Sequence, residues 1–299
     1  MHRNITIALK WIWAVAVVAA VSYVIYRSRE DVVRMLHAVP TSMLMASLLL
    51  TAAAKFFLGE NARLAAARNA LDLSYGTAIR LYNLSQLGKY LPGSIWQFVG
   101  RAAAYRNIGG SYGQIRDSLL VESLWIISGA AAVGILMCGP GIALLVDKTL
   151  TGAIRWWFAS LVLTGGLTGI GLLLWKRRLL ARYVRLLVPS WRVIIVQLAV
   201  WGLLGMAFWV LANACQMPIS PVFSIGLFAA AYAMGFLVPF APAGLGVRDG
   251  ILMVGLLPYA TAGEALAVTV MARLIYLVVE LLLVALQSIV SGRDKPVGP

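Results

Sequence analysis

Two stretches decide how this chain is read: Gly88–Arg101, GKYLPGSIWQFVGR, and Gly235–Gly250, GFLVPFAPAGLGVRDG. Both are apolar segments broken halfway by Pro and Gly, and Gly88, Pro92 and Arg101 superpose on Gly235, Pro239 and Arg248 at a constant offset of 147 residues. After a four-residue adjustment the following runs align as well, with SLLVESLW (118–125) on TVMARLIY (269–276), which sets Glu122 opposite Arg273. A pair of apolar spans between the copies would turn the second upside down in a bilayer. The repeat halves, about 75–138 and 222–290, therefore predict an inverted repeat, the architecture that builds a midplane site from broken helices.

The rest of the chain supplies the membrane. Hydrophobic residues make up 61% of its 299 residues and charged ones only 12%, far from a soluble composition. Yet 25 Lys+Arg stand against 11 Asp+Glu, a formal net charge of +14. A soluble nucleic-acid binder does not carry this much apolar sequence, and a disordered basic tail carries less still. Continuous rather than alternating apolar runs argue against a β-barrel. Runs near 9–26, 41–59, 118–138, 154–175, 192–212 and 266–290 are long enough to cross a hydrocarbon core. The first is read as a retained helix, not a secretory signal, because no small-residue cleavage site precedes a polar chain. The expected fold is all-α: a single transmembrane domain over 1–299 with about six full spans and two re-entrant broken-helix hairpins.

Charge sets the orientation. Arg3 and Lys10, then Arg63, Arg68 and Arg80, then Arg101, Arg106 and Arg116 share one side with the Lys176–Arg185 cluster, Arg293 and Lys295, provided each broken region enters and leaves on one face. By the positive-inside rule that side, with both termini, is cytoplasmic. The opposite side holds Arg27, Arg29, Arg34, Lys148 and Arg155, partly offset by Glu30, Asp31 and Asp147.

Site chemistry follows from the breaks. Half-helix ends leave N–H groups that find no water in lipid, and with a nearby Arg they favour an anion. Arg101 and Arg248 each follow a break by nine residues, and their planar forks suit phosphate. The competing reading is that Pro and Gly merely kink packed helices while the arginines snorkel. Two matched breaks, each with its Arg, tilt the reading toward function. Glu122, Arg273 and Glu280 fall inside spans, where a charge needs a partner or water, and Glu122 and Arg273 are expected to pair near the repeat axis. Asp249 adjoins Arg248 and is read as its support or as a proton site. Lys55 and Lys89 are assigned to span ends and read as snorkelling.

Other features carry less. Trp175–Val188 is basic and amphipathic and is expected along the cytoplasmic leaflet. Gly165 and Gly169 suit close packing within a span, and Trp11, Trp13, Trp156, Trp157 and Trp191 suit an interfacial belt. Cys138 and Cys215 are read as two unrelated thiols in preference to a disulfide. Neither cysteine nor histidine spacing suggests a metal, and there is no phosphate loop, HExxH or GxSxG. No cofactor, no nucleic acid and no enzyme activity are expected.

LPGSIWQFVGR (91–101) and PAGLGVRDG (242–250) resemble the two signature stretches of the lysylphosphatidylglycerol synthase transmembrane-region family, which includes the flippase half of the multiple peptide resistance factor. The resemblance spans most of the chain. It implies an integral protein of the bacterial inner membrane that moves a lipid between leaflets, handling aminoacylated phosphatidylglycerol in some members and working beside glycolipid and polysaccharide enzymes in others. Carried over, the motif positions are Arg101, Glu122, Arg248, Asp249 and Arg273. This chain departs in having Ala243 and Asp249 where Gly and Glu are more usual, and Trp96-Gln97 in the first motif; without a soluble aminoacyl-transferase domain it is not expected to synthesise the lipid. The leading expectation is a flippase for an anionic or phosphate-bearing lipid, phospholipid or polyprenyl-linked, with Arg101, Arg248, Glu122, Arg273, Asp249, Trp96 and Gln97 at the headgroup. The alternatives are a secondary transporter of a small anion and a non-transporting partner of a lipid-linked glycosyltransferase.

Overall fold

The computed structural model describes residues 39–90, 95–149, 187–237 and 246–293, and every regular element among them is helical. They are α1 (Thr41–Arg68), α2 (Tyr75–Gln86), a 3-10 turn (Leu87–Tyr90), α3 (Trp96–Asn107), α4 (Tyr112–Thr149), α5 (Trp191–Ala214), α6 (Pro221–Leu237), α7 (Val247–Leu256) and α8 (Ala262–Arg293). Four of these, α1, α4, α5 and α8, are long and apolar enough to cross a membrane, and they match the runs at 41–59, 118–138, 192–212 and 266–290. The runs at 9–26 and 154–175, the two prolines Pro92 and Pro239, the basic stretch 175–186, the Gly165/Gly169 pair, both histidines and most of the tryptophan belt lie outside the described residues. Trp191 does stand exposed at the first turn of α5.

Local sequence explains where the helices begin. Ser111 and Gln114 form a capping box at the head of α4: the Ser111 N–H donates to Gln114 Oε1 at 3.0 Å and the Gln114 N–H to Ser111 Oγ at 3.3 Å. Thr261 and Glu264 repeat the device at the head of α8, at 2.8 and 3.3 Å. Each box satisfies two N–H groups that the first helical turn leaves unpaired. Gly246, at φ 89°, supplies the left-handed residue from which α7 starts.

Lipid provides no hydrophobic force between helices, so close packing of small residues holds them. α5 packs on α1, α4 on α6, and α6 also on α5. Gly134 meets Ala230 across the α4–α6 crossing, and a Cβ on Gly226 would lie 2.7 Å from the Cys138 backbone nitrogen. Cys138 is buried there, with its Sγ directed at the Phe223 carbonyl 3.5 Å away. Both cysteines are free thiols. At Cys215, past the end of α5, burial pushes the thiol up to about 11. Among the described glycines the closest approach is Gly205 of α5 against Ile225 of α6, where an added Cβ would collide with the Ile225 backbone. Gly205→Ala is therefore expected to cost about 1–3 kcal/mol by overpacking, read as a lowered thermal midpoint in detergent; an unchanged midpoint would show that α5 and α6 part freely.

A candidate anion site between the broken helices

Each of the two aligned glycines abuts the helix that follows it in the chain. Gly88, in the 3-10 turn, abuts the start of α3: a Cβ there would sit 2.7 Å from the Gln97 nitrogen and 2.8 Å from the Trp96 carbonyl carbon. Gly235, near the end of α6, abuts α7, with its would-be Cβ 2.9 Å from that of Arg248. The two glycines that align in sequence thus occupy the two close approaches, where a side chain has no room. Trp96 and Gln97 sit at this first crossing, Trp96 with 48% of its surface exposed.

The expected Glu122–Arg273 pair is corrected. Glu122 of α4 binds Arg101 of α3, and Arg273 of α8 binds Asp249 of α7. Each short helix is therefore tied to the long helix that follows it, with Arg on the short helix in the first pair and on the long helix in the second. Glu122 and Arg273, which align in the sequence, thus each find a partner nearby in the chain, 21 or 24 residues away, rather than each other. The first pair is deeply buried. Arg101 also donates through Nε to Ser85 Oγ at 3.1 Å and lies over the Tyr82 ring, 4.7 Å from its centroid. The second pair is about a quarter exposed on the Arg273 side.

Lys55 and Lys89 are also corrected: neither snorkels. Lys55 is wholly buried midway along α1, and Lys89 is almost so. Both ammonium groups hydrogen-bond to Glu280 Oε1 of α8, while the Tyr90 hydroxyl donates to Glu280 Oε2 at 2.8 Å. Lys55 Nζ lies 3.7 Å and Lys89 Nζ 4.5 Å from the Tyr276 ring centroid. Arg248 Cζ faces the same ring at 5.3 Å, with Phe228 at 4.7 Å and Tyr232 at 5.9 Å. These distances fall within cation–π range. Among the described residues, Arg248 makes no ion pair and its buried Nε has no hydrogen-bond partner. A small cavity lined by Ser47, Thr51, Phe208 and Phe228 opens on Tyr276.

The structure thus brings the seven sequence candidates together only in part. Arg101 joins Glu122, Asp249 joins Arg273, and Arg248 joins a cluster that the sequence reading did not assemble: Lys55, Lys89, Glu280, Tyr90 and Tyr276. One signal for it was present, since Lys89 and Tyr90 lie inside the first motif, GKYLPG.

Four membrane-length helices with charged groups buried between them fit a polytopic membrane protein. The chain belongs to the lysylphosphatidylglycerol synthase TM region family, whose match covers residues 11–283. That membership makes it an integral membrane protein of a lipid-related family. No curated protein matches it.

Proposed function

We propose that this protein is an ATP-independent lipid translocase of the bacterial inner membrane, with both termini cytoplasmic, that carries an anionic or phosphate-bearing lipid between leaflets. One observation carries the reading: Arg248, fixed by an aromatic wall beside two more buried cations, keeps an unused donor inside the bundle. Arginine cannot shed its charge, and a buried charge without a counter-ion is costly. An arriving phosphate removes that cost. The headgroup would pass Arg248 while the acyl or prenyl tails stay in lipid. The fold-back at Gly88 and Gly235 and the matched ion pairs of the two halves support two re-entrant hairpins related as an inverted repeat. In this scheme Arg101 with Glu122, and Asp249 with Arg273, hold the hairpins, while Trp96 and Gln97 line the way in. An enzyme of a lipid-linked glycan pathway is a fitting partner, as supplier or consumer of such a lipid.

The test is transbilayer movement of a labelled anionic lipid in proteoliposomes. Arg248→Gln is expected to slow it at least about tenfold, given the roughly 1.5–3 kcal/mol of a hydrogen bond to a charged group. Arg192→Gln, at an exposed position on α5, should leave it unchanged. Undiminished movement in Arg248→Gln would remove Arg248 from the path. Movement of a soluble anion without any lipid redistribution would favour a secondary transporter, and a completely inert purified protein would favour a non-transporting partner.

A further inference from the structure

Three cations converge on one ring, Tyr276, and the described residues supply one carboxylate among them. Lys55, Lys89 and Arg248 all lie within 5.3 Å of that ring's centroid, and Glu280 is the anion that binds the two lysines. Formally the cluster keeps two positive charges in excess. The aromatic rings around Arg248 offset part of the cost of burying its charge but supply no counter-ion. Glu280 is engaged by two ammonium groups and the Tyr90 hydroxyl, and among the described residues it makes no ion pair with Arg248.

We infer that this cluster seats a group bearing two negative charges, a phosphomonoester or a diphosphate esterified at both ends. The inference rests on the translocase reading and narrows its substrate. The singly charged diester of a common phospholipid would leave one buried positive charge unmatched. An aminoacylated phosphatidylglycerol, with its added ammonium group, would bring positive charge to a site that already has an excess. A phosphomonoester carries close to two charges near neutral pH and offers three strong acceptor oxygens, one for each of Lys55, Lys89 and the free Arg248 Nε. Lys89, whose side chain is 11% exposed where that of Lys55 is wholly enclosed, stands on the open side of the cluster. An incoming phosphate therefore meets Lys89 first and competes with Glu280 for it.

The experiment measures binding to the purified full chain in detergent at pH 8. The probes are phosphatidic acid, a prenyl monophosphate, a sugar-capped prenyl diphosphate, phosphatidylglycerol, lysylphosphatidylglycerol, inorganic phosphate and pyrophosphate. The doubly charged lipids should bind at least about tenfold more tightly than phosphatidylglycerol, the margin that one extra ion contact of 1.5–3 kcal/mol provides. Arg248→Gln and Lys89→Gln should each erase most of that margin, while Arg248→Lys, which keeps the charge, should retain part of it. If Arg248→Gln fails to fold, the Lys89→Gln and Arg248→Lys pair decides. Equal or tighter binding of phosphatidylglycerol or lysylphosphatidylglycerol overturns the inference, even if lipid movement is confirmed. A preference for double charge that survives both glutamine variants overturns the assignment to this cluster. Inorganic phosphate or pyrophosphate binding as tightly as the lipids supports the charge match while overturning the lipid reading. Tight binding of doubly charged lipids with no transbilayer movement overturns only the translocase.

Discussion

Glu280→Ala is expected to destabilise the protein by about 3–5 kcal/mol, the cost of removing one partner from a buried ion pair. The reason is that Glu280, itself wholly buried, is the shared acceptor for Lys55, Lys89 and Tyr90. Without it two ammonium groups lie side by side near Tyr276 with no anion between them. Glu280→Gln should lose less, because its amide oxygen still accepts one hydrogen bond, yet it returns no charge. The diagnostic is the double variant Lys55→Met with Glu280→Met. It removes the deeper lysine together with the carboxylate and leaves Lys89, which has some contact with the outside. Replacing a buried pair by packed apolar side chains is often close to neutral, so the double variant should recover most of the loss. Unfolding in a graded series of denaturing detergent reads all three. A Glu280→Ala protein within about 1 kcal/mol of the parent, below the usual cost of an orphaned charge, would mean that the lysines have other partners.

The Lys55 misreading shows which part of the fold was legible. The apolar run that defines the first described span stops near residue 59, which places Lys55 close to its end. The helix does not stop there. It continues through Ala-rich sequence to Arg68, helped by the Glu60–Arg63 pair one turn apart. At 1.5 Å per residue its 28 residues extend roughly 42 Å, longer than the hydrocarbon core, and Lys55 is at its middle. Hydropathy detects where lipid contact ends and is silent on where the hydrogen-bonded ladder ends. The four described spans were legible because their apolar runs are uninterrupted. The partners of the charges were not, because pairing depends on which helix faces which. Lys55 and Glu280 are 225 residues apart, and no local pattern joins them. Arg248 was legible from its place after a break, and its free donor became visible only with Phe228, Tyr232 and Tyr276 around it.

Glu122→Ala should be about as damaging as Glu280→Ala, whereas Asp249→Ala should cost under about 1 kcal/mol, although the two residues hold equivalent struts in the two halves. The difference is burial. Arg101 is 1% exposed, and loss of Glu122 would strand its charge, the case that costs about 3–5 kcal/mol. Ser85 and the Tyr82 ring remain to it, but neither carries a charge. Asp249 and Arg273 have side chains 21% and 25% exposed, so water compensates either one when its partner is removed; a pair of that kind contributes about 0–1 kcal/mol. The double variant Arg101→Met with Glu122→Leu discriminates further. If the strut only holds α3 against α4, the apolar pair restores stability and leaves lipid movement substantially intact. If Arg101 instead touches the headgroup, stability returns and movement does not. Equal unfolding costs for Glu122→Ala and Asp249→Ala would contradict the burial argument, and would mean that the second strut is enclosed as deeply as the first when the protein sits in a bilayer.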